Sequence, residues 1–308
     1  MTRTKTPAEA IGVVGAGAVG QAVTGALLAA GLSRRLLVCS RTQPQTAAWT
    51  TDLEDMRQAL TSPVHPYGCR VKDLRECTAV VIALRASFTN TNTSDVRLAG
   101  ASANAPSVRA LAEALRGYGG TVLMVTNPVD LMSRLFADVS ACKRVFGIGS
   151  NLDSARYRAH LARLLDVPAH AVSGRVIGEH GDAAVVCAST TTVNRRPVTV
   201  PLQAISEELR TRPARISDGI GRTRLGPTGS VLSALRKTLG CADGVEELSA
   251  PYRGGWLGIP LRFTAGQPLP CLPVLNGTEQ QQFAAADTKL RAAYQALRGN
   301  STPVERIS

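Results

Sequence analysis

Short apolar runs alternate with helical patterns along the first half of the chain. The apolar runs occupy residues 10–14, 36–39, 79–84, 121–125 and 145–148, and residues 108–115 have helical periodicity. Strands that alternate with helices predict an α/β fold, in which helices cover both faces of a parallel sheet. Ligands of such sheets bind beyond the carboxyl ends of the strands.

The second half mixes the two periodicities. We expect strands at residues 184–192, 198–202, 257–263 and 272–275. A capping box of Thr278 and Gln281 predicts the start of the last helix. Its apolar stripe should face the core, and consists of Phe283, Leu290, Tyr294 and Leu297.

A glycine motif, GAGAVG, directly follows the first apolar run and precedes a helical segment. Gly15 permits a tight turn, Gly17 lets a pyrophosphate approach the backbone, and Gly20 lets the helix pack on the strand. The amides of Ala18 and Val19 would face the phosphates at the helix N-terminus. The motif in this context predicts an N-terminal Rossmann domain with a doubly wound parallel sheet, at residues 1–149. A C-terminal α+β substrate domain would follow, at residues 150–308.

The second apolar run ends at Ser40, Arg41 and Thr42, where an acid would bind the adenine ribose of NAD(H). An acid there would repel a 2′-phosphate, whereas a guanidinium pairs with it and hydroxyls donate to it. We therefore expect NADP(H) to be preferred and NAD(H) to remain possible. The alternative is an exposed loop arginine in a protein that binds NAD(H) weakly.

The composition narrows the function classes. The formal net charge is +12, from 35 basic and 23 acidic residues, but the basic residues form no run longer than two. This scatter argues against nucleic-acid binding and favours small anionic ligands. The seven cysteines have no C-x-x-C spacing, as expected of reduced thiols in a cytoplasmic protein. We find no signal peptide, no metal-binding motif and no apolar run near the roughly 20 residues that span a bilayer.

Three segments bear polar residues suited to chemistry. TNPVD follows an expected strand and places Asn127 at its carboxyl end, within reach of a cofactor or substrate. In LDSARYR, Asp153 and Arg156 are three residues apart and share a helix face. In GEHGD, His180 lies on a glycine-bounded turn. Together they indicate a histidine oriented by an aspartate, beside a positioned arginine.

These segments, in this order and with the tail GIPLRF…PVLNGTEQQQF, resemble the L-lactate/malate dehydrogenase family. The resemblance covers nearly the whole chain. It implies that His180 exchanges a proton with the substrate oxygen, that Asp153 fixes its tautomer and stabilises the imidazolium, and that Arg156 binds the substrate carboxylate. It also implies a homodimer or homotetramer.

The segment after residue 84 departs from the family pattern. The resemblance places the catalytic loop arginine at Arg97 and the side-chain selector at residues 90–92, which are uncharged here. It places Thr228 in the substrate pocket. We therefore expect a larger, polar 2-oxo acid rather than a simple dicarboxylate, unless Arg85 supplies the missing charge.

Three functions remain open at this stage. The first is NADP(H)-dependent reduction of a 2-oxo acid to an L-2-hydroxy acid. The second is reduction of an imine or an elaborated oxo intermediate by the same residues. The third is a non-catalytic dinucleotide-binding scaffold.

Overall fold

The computed structural model describes residues 7–86 and 99–299 of the 308-residue chain. The strands in those residues are β1 Ala8–Val14, β2 Ser33–Cys39, β3 His65–Gly68, β4 Ala79–Ile82, β5 Thr121–Met124, β6 Val145–Gly147, β7 Val172–Ser173, β8 Val176–Gly178, β9 Ala184–Val186, β10 Thr192–Val193, β11 Arg196–Pro197, β12 Gly244–Tyr252, β13 Gly255–Thr264 and β14 Gln267–Pro270. The helices are α1 Ala18–Ala30, α2 Gln43–Leu60, α3 Ala99–Ala114, α4 Val129–Ser140, α5 Ser150–Leu164, α6 Leu202–Ile220, α7 Leu225–Thr238 and α8 Gly277–Gly299. The α/β class expected from the alternating pattern is confirmed.

One large sheet runs through both halves of the chain, in the order β3-β2-β1-β4-β5-β6-β12-β13-β8-β9, with β14 also paired to β13. All pairings from β3 to β6 are parallel. From β12 onwards the pairings are antiparallel, and β12 meets β6 at a bridge between Ser249 and Gly147. The parallel part is the doubly wound unit that the glycine motif predicted. The division of domains at residue 149 stays a prediction.

The parallel strands end along one edge of the sheet, and their order places the polar segments there. β1 lies between β2 and β4, and β5 lies between β4 and β6. The glycine turn after β1, the serine–arginine tip after β2 and the TNPVD segment after β5 therefore meet at the same edge. β4 and β5 are entirely buried, as expected of strands covered on both faces.

One apolar core joins the two halves, since it contains strand residues of the parallel sheet, of β12 and β13, and of α8. In α8, Leu290, Tyr294 and Leu297 are buried and Phe283 packs partly buried against the core. The expected core-facing stripe is confirmed.

The start of α8 differs from the expectation. The capping residue is Asn276, whose Oδ1 accepts from the backbone N of Glu279 at 2.9 Å, while its own N donates to a Glu279 carboxylate oxygen at 3.1 Å. The predicted box of Thr278 and Gln281 is wrong by two residues, because both lie inside the helix. Asn276 and Glu279 form the reciprocal pair instead.

Three expected strands are wrong or only partly right. Residues 184–192 form β9, a 3-10 turn at Ala188–Thr190 and the start of β10, and Glu279 of α8 holds that turn through the N of Ser189. Residues 198–202 form no strand, because Pro201 lacks a donor and α6 begins after it. Residues 272–275 form no strand either, and β13 pairs instead with β14.

The cysteines are free thiols, and Cys39, Cys77, Cys142 and Cys187 are buried. Within the described ranges, no helix has both the length and the apolar character that a membrane crossing requires.

Candidate active site

A histidine and an aspartate meet where α5 begins and β8 ends. Asp153 lies in the first turn of α5, and His180 follows Gly178, the last residue of β8. The His180 Nδ1 is 2.6 Å from an Asp153 carboxylate oxygen, and both side chains are 8% exposed. Gly149 permits this approach, since a Cβ there would lie 2.6 Å from the Cβ of His180. Nδ1 donates its proton to the carboxylate, so Nε2 is the ring atom that can exchange a proton with a ligand.

An arginine contacts the same carboxylate. The Nη1 of Arg156 donates to the other oxygen of Asp153 at 3.3 Å, and the Arg156 side chain is 7% exposed. The structure thus brings together all three residues that the two motifs predicted. A buried guanidinium oriented in this way presents a fork that matches the two oxygens of a carboxylate.

A second buried aspartate holds the backbone of the histidine. Asp130, in the first turn of α4, accepts from the backbone N of His180 at 2.9 Å and from the hydroxyl of Ser249. Burial raises the pKa of Asp130 to about 6, although both hydrogen bonds act in the opposite direction. Sequence reasoning missed this residue, because it singled out only Asn127 of the TNPVD segment.

The glycine turn has the shape that a dinucleotide pyrophosphate requires. Gly15 has a φ of +108°, and a Cβ on Gly20 would lie 1.8 Å from the carbonyl oxygen of Gly15. A Cβ on Gly17 would meet nothing within 4 Å, and Gly17 caps α1 without a side-chain hydrogen bond. The first amides of α1 therefore face open space with no side chain satisfying them, as anion binding at a helix N-terminus requires.

A cavity of about 350 Å³ lies at this turn. Gly17, Ala18 and Val19 line one side, Asn127 lines another, and the turn before α7 contributes Arg222. Asn127 is exposed and therefore accessible to a ligand. The cavity therefore joins the phosphate turn, the carboxyl end of β5 and the second half of the chain.

A buried asparagine fixes the rim of this cavity. The Asn104 amide donates to the carbonyl oxygen of Asn127 at 2.8 Å and accepts from the backbone N of Ala86 at 2.7 Å. Asn104 thus ties the segment after β4 to the segment after β5. The sequence analysis did not predict this bridge, because Ala86 and Asn127 lie 18 and 23 positions from Asn104.

The tip after β2, at residues 40–42, is more exposed to solvent than the buried pair of Asp153 and His180. The Ser40 hydroxyl lies 2.8 Å from the Thr46 hydroxyl, and Thr42 caps α2 by accepting from the N of Gln45. Arg41 is exposed. The two hydroxyls predicted to bind a cofactor phosphate therefore also stabilise the start of α2, and Arg41 and Thr42 are both exposed.

The carboxylate of Asp73, in the segment after β3, is near enough to Cys39 at the end of β2 to affect its pKa. Its charge opposes ionisation of Cys39, whose pKa is nevertheless lowered by the hydrogen bond from Cys69. Asp73 is held by Arg70, whose N donates to it at 2.9 Å and whose Nε is 3.6 Å away. The negative charge near the tip is therefore paired with an arginine.

Two family models match successive parts of the chain. A family model described as the lactate/malate dehydrogenase NAD binding domain matches residues 9–147, and its alpha/beta C-terminal domain matches residues 150–212. An L-lactate dehydrogenase of Deinococcus radiodurans is 30% identical over 309 residues, covering 93% of this chain and 99% of that protein. The chain belongs to the lactate/malate dehydrogenase family. The resemblance inferred from the sequence motifs is confirmed, and the protein is an oxidoreductase of this type with a nicotinamide dinucleotide as cofactor.

Other family members resemble the chain in part of its length or in fold. The L-2-hydroxycarboxylate dehydrogenase (NAD(P)(+)) of Methanocaldococcus jannaschii is 31% identical over 147 residues, covering 45% of this chain and 47% of that protein. The crystal structure of Cryptosporidium parvum malate dehydrogenase superposes with a TM-score of 0.86 at 22% identity, covering 94% of this chain and 99% of that chain. At that identity the superposition shows the shared fold.

The site roles that the resemblance assigned to Thr228 and Arg97 stay predictions. Thr228 is buried in the first turn of α7, where its hydroxyl donates to the carbonyl oxygen of Arg224 at 2.8 Å. Its neighbour Pro227 lines the 350 Å³ cavity. Arg97 and the selector residues 90–92 lie outside the described residues, and their roles remain predictions.

A larger cavity, of about 600 Å³, lies against another face of α5 and contains none of the predicted site residues. Its basic side chains are paired with acids of β12. Arg158 and Arg175 contact Glu247 at 3.8 and 3.2 Å, and Lys237 contacts Glu246 at 2.6 Å. These charges are therefore paired within the protein, and neither cavity is lined by His180, Asp153 or Arg156.

Proposed function

We propose that this dehydrogenase uses NADP(H) to reduce a 2-oxo acid to an L-2-hydroxy acid. The observation that carries the proposal is the buried contact of His180 with Asp153 at 2.6 Å, with Arg156 on the other oxygen of the same carboxylate. This arrangement offers a proton donor and a carboxylate anchor within one group of side chains. Asp153 holds the orientation of both.

Each side chain has a defined part in the reduction. Arg156 binds the substrate carboxylate through two parallel hydrogen bonds. The reduced nicotinamide, when bound, supplies a hydride to the carbonyl carbon. His180 then gives its Nε2 proton to the carbonyl oxygen, on which negative charge develops, and becomes neutral. In the reverse direction it takes the hydroxyl proton, and the negative charge of Asp153 stabilises the resulting imidazolium.

The preference for NADP(H) rests on the tip after β2. Arg41 is exposed there, and residues 40–51 contain no acid. An acid about 4 Å from a phosphate would cost roughly 4 kcal/mol at an intermediate dielectric, whereas a guanidinium attracts the phosphate. The name of the Methanocaldococcus jannaschii relative includes both cofactors, so a family member with dual use exists.

We propose a substrate larger and more polar than pyruvate, and not a simple dicarboxylate. Gly229 and Ser230, which follow Thr228, have small side chains, but both line the 600 Å³ cavity rather than the 350 Å³ cavity. Residues 86–96 contain several threonines, asparagines and serines, which suit polar rather than charged substrate groups. The polarity of residues 86–96 is thus the feature that supports this substrate class.

The test is a panel of acids assayed by the oxidation of NADPH and of NADH. The panel contains pyruvate, oxaloacetate, 2-oxo acids with longer polar side chains, and cyclic imino acids. We expect the highest kcat/KM with NADPH and a longer polar 2-oxo acid. Activity restricted to pyruvate or oxaloacetate contradicts the enlarged pocket, and a clear NADH preference contradicts the cofactor choice.

Two outcomes separate the remaining alternatives. Activity with imino acids alone would assign the same residues to imine reduction. If the protein bound no NADPH or NADH by fluorescence, both enzyme hypotheses would fail.

A further inference from the structure

Two arginines from different halves of the chain line the cavity at the phosphate turn, and neither belongs to the family motifs in this sequence. Arg85 lies three residues after the last residue of β4. Arg222 lies in the turn between α6 and α7. Both line the 350 Å³ cavity together with Gly17. The cavity thus has cationic side chains from two sides and amide donors from α1.

Arg85 stands close to the phosphate turn because the backbone before it packs on that turn. A Cβ on Gly15 would lie 2.6 Å from the carbonyl oxygen of Ala83 and 2.8 Å from the N of Leu84. The segment that carries Arg85 is also fixed by the bond from the N of Ala86 to Asn104. Arg85 is therefore placed beside the glycine turn by the backbone.

Arg222 lines the same cavity as Arg85 and is near enough for the two charges to interact. Burial lowers the pKa of Arg85, and the positive charge of Arg222 lowers it further. Among the described residues, no acid lies within 4 Å of the Arg222 guanidinium. Two like charges held near each other in a ligand cavity favour an anion between them.

We propose that Arg85 and Arg222 bind the pyrophosphate of the dinucleotide, one from each half of the chain. This inference rests on the proposed function for the presence of the dinucleotide, and it adds residues that hold it. The reaction involves three anionic groups, which are the 2′-phosphate, the pyrophosphate and the substrate carboxylate. The pyrophosphate is the one that meets Gly17, and neither Arg41 nor Arg156 lines this cavity.

A consequence follows from the position of Arg222 in the second half of the chain. Cofactor bound to both arginines joins the turn before α7 to the phosphate turn, before any substrate is present. The chain therefore offers more charge to the pyrophosphate than the amides of α1 alone provide.

The experiment compares Arg222→Ala with Arg224→Ala, a matched control in the same turn. Arg224 is also exposed, but it does not line the cavity. Binding is measured by NADPH fluorescence and by calorimetry with two fragments. One fragment, 2′-phospho-ADP-ribose, contains the pyrophosphate, and the other, adenosine 2′-monophosphate, does not.

We expect Arg222→Ala to raise the Kd of NADPH and of 2′-phospho-ADP-ribose by tenfold or more, and to change the Kd of adenosine 2′-monophosphate by less than twofold. Arg85→Ala should act in the same way, and Arg224→Ala should leave all three constants within twofold. Circular dichroism verifies that each variant is folded. If Arg222→Ala is unfolded, Arg222→Gln and Arg85→Ala provide the same comparison.

Three results would overturn the inference. The first is an unchanged Kd of 2′-phospho-ADP-ribose in both arginine variants. The second is an equal loss for both fragments. The third is an unchanged Kd of NADPH with a raised KM for the 2-oxo acid that the wild type reduces best, which would assign the pair to the substrate.

The proposed function fails in a different way. If the wild type prefers NADH, the cofactor choice is wrong, and ADP-ribose against adenosine monophosphate still tests the arginine pair. If the wild type binds neither dinucleotide, both the proposed function and the arginine pair are wrong.

Discussion

The acid–base centre and the tip after β2 represent two ways of building a functional site on one sheet. At the centre, His180, Asp153 and Arg156 are buried and contact one another at 2.6 and 3.3 Å. At the tip, Arg41 is exposed and Ser40 bonds within the protein. Buried charges in contact are fixed in place and act strongly, whereas exposed charges are screened by water and salt. We therefore predict that turnover depends on the centre and that substitutions at the tip change the cofactor preference.

The largest expected effect comes from removing the proton donor. His180→Asn should lower kcat by about 10²- to 10⁴-fold, since the amide cannot exchange a proton. The Kd of NADPH should change by less than threefold, because the phosphate turn is untouched. His170→Asn, which alters an exposed histidine, is the control. Turnover retained in His180→Asn would show that the centre is not the site of chemistry.

A smaller effect is expected from a substitution that keeps the charge of the centre. Arg156→Lys preserves the positive charge but loses the planar fork, so kcat/KM for the 2-oxo acid should fall by roughly ten- to a hundredfold. Arg158→Lys, on the same helix, tests whether any lysine in α5 has this effect. If the two variants lost equal activity, the fork of Arg156 would not be the carboxylate anchor.

Reversing the charge at the tip after β2 should change the preference between NADPH and NADH more than it changes turnover. Ser40→Asp combined with Arg41→Ile should shift the ratio of kcat/KM values for NADPH and NADH by about tenfold, because an exposed pair is screened. The control is Arg34→Ile, which removes an exposed arginine at the other end of β2. An unchanged ratio would mean that the tip does not select the cofactor.

Sequence motifs predicted that His180, Asp153 and Arg156 lie together, because these residues occur in short, local patterns. LDSARYR and GEHGD each place one side of the contact, and six consecutive residues of the glycine turn predict the phosphate site. The resemblance then connected motifs that are far apart in the chain. The parallel strands were predicted for the same reason, since each is a continuous apolar run.

The contacts that were missed join residues distant in sequence. Asp130 and Ser249 are 119 positions apart, and Asn104 meets Asn127 across 23 positions. β12 was not predicted because its pattern contains Glu246 and Glu247, which are buried in this strand. Lys237 and Arg175 neutralise them, and neither is adjacent in the chain. Buried acidic residues in a strand can be predicted only when the basic residues that pair with them are known.

The smallest expected effect on turnover concerns Asp130, which touches the backbone of His180 rather than its ring. Its folded pKa of about 6 lies above the ordinary aspartate value, so the folded protein binds this proton more tightly than the unfolded chain. The stabilisation from the protonated form is complete below about pH 4 and is lost as the pH rises to about 6. The loss is about 3 kcal/mol.

Asp130→Asn should therefore remove this dependence. An amide can still accept from the N of His180 and donate to Ser249, but it does not ionise. Denaturant unfolding at pH 4 and pH 7 should show that the variant gains about 2–3 kcal/mol relative to the wild type between the two values. We expect kcat to change by less than tenfold, since the ring contact with Asp153 remains. A stability difference that is the same at both pH values would mean that Asp130 does not titrate in this range.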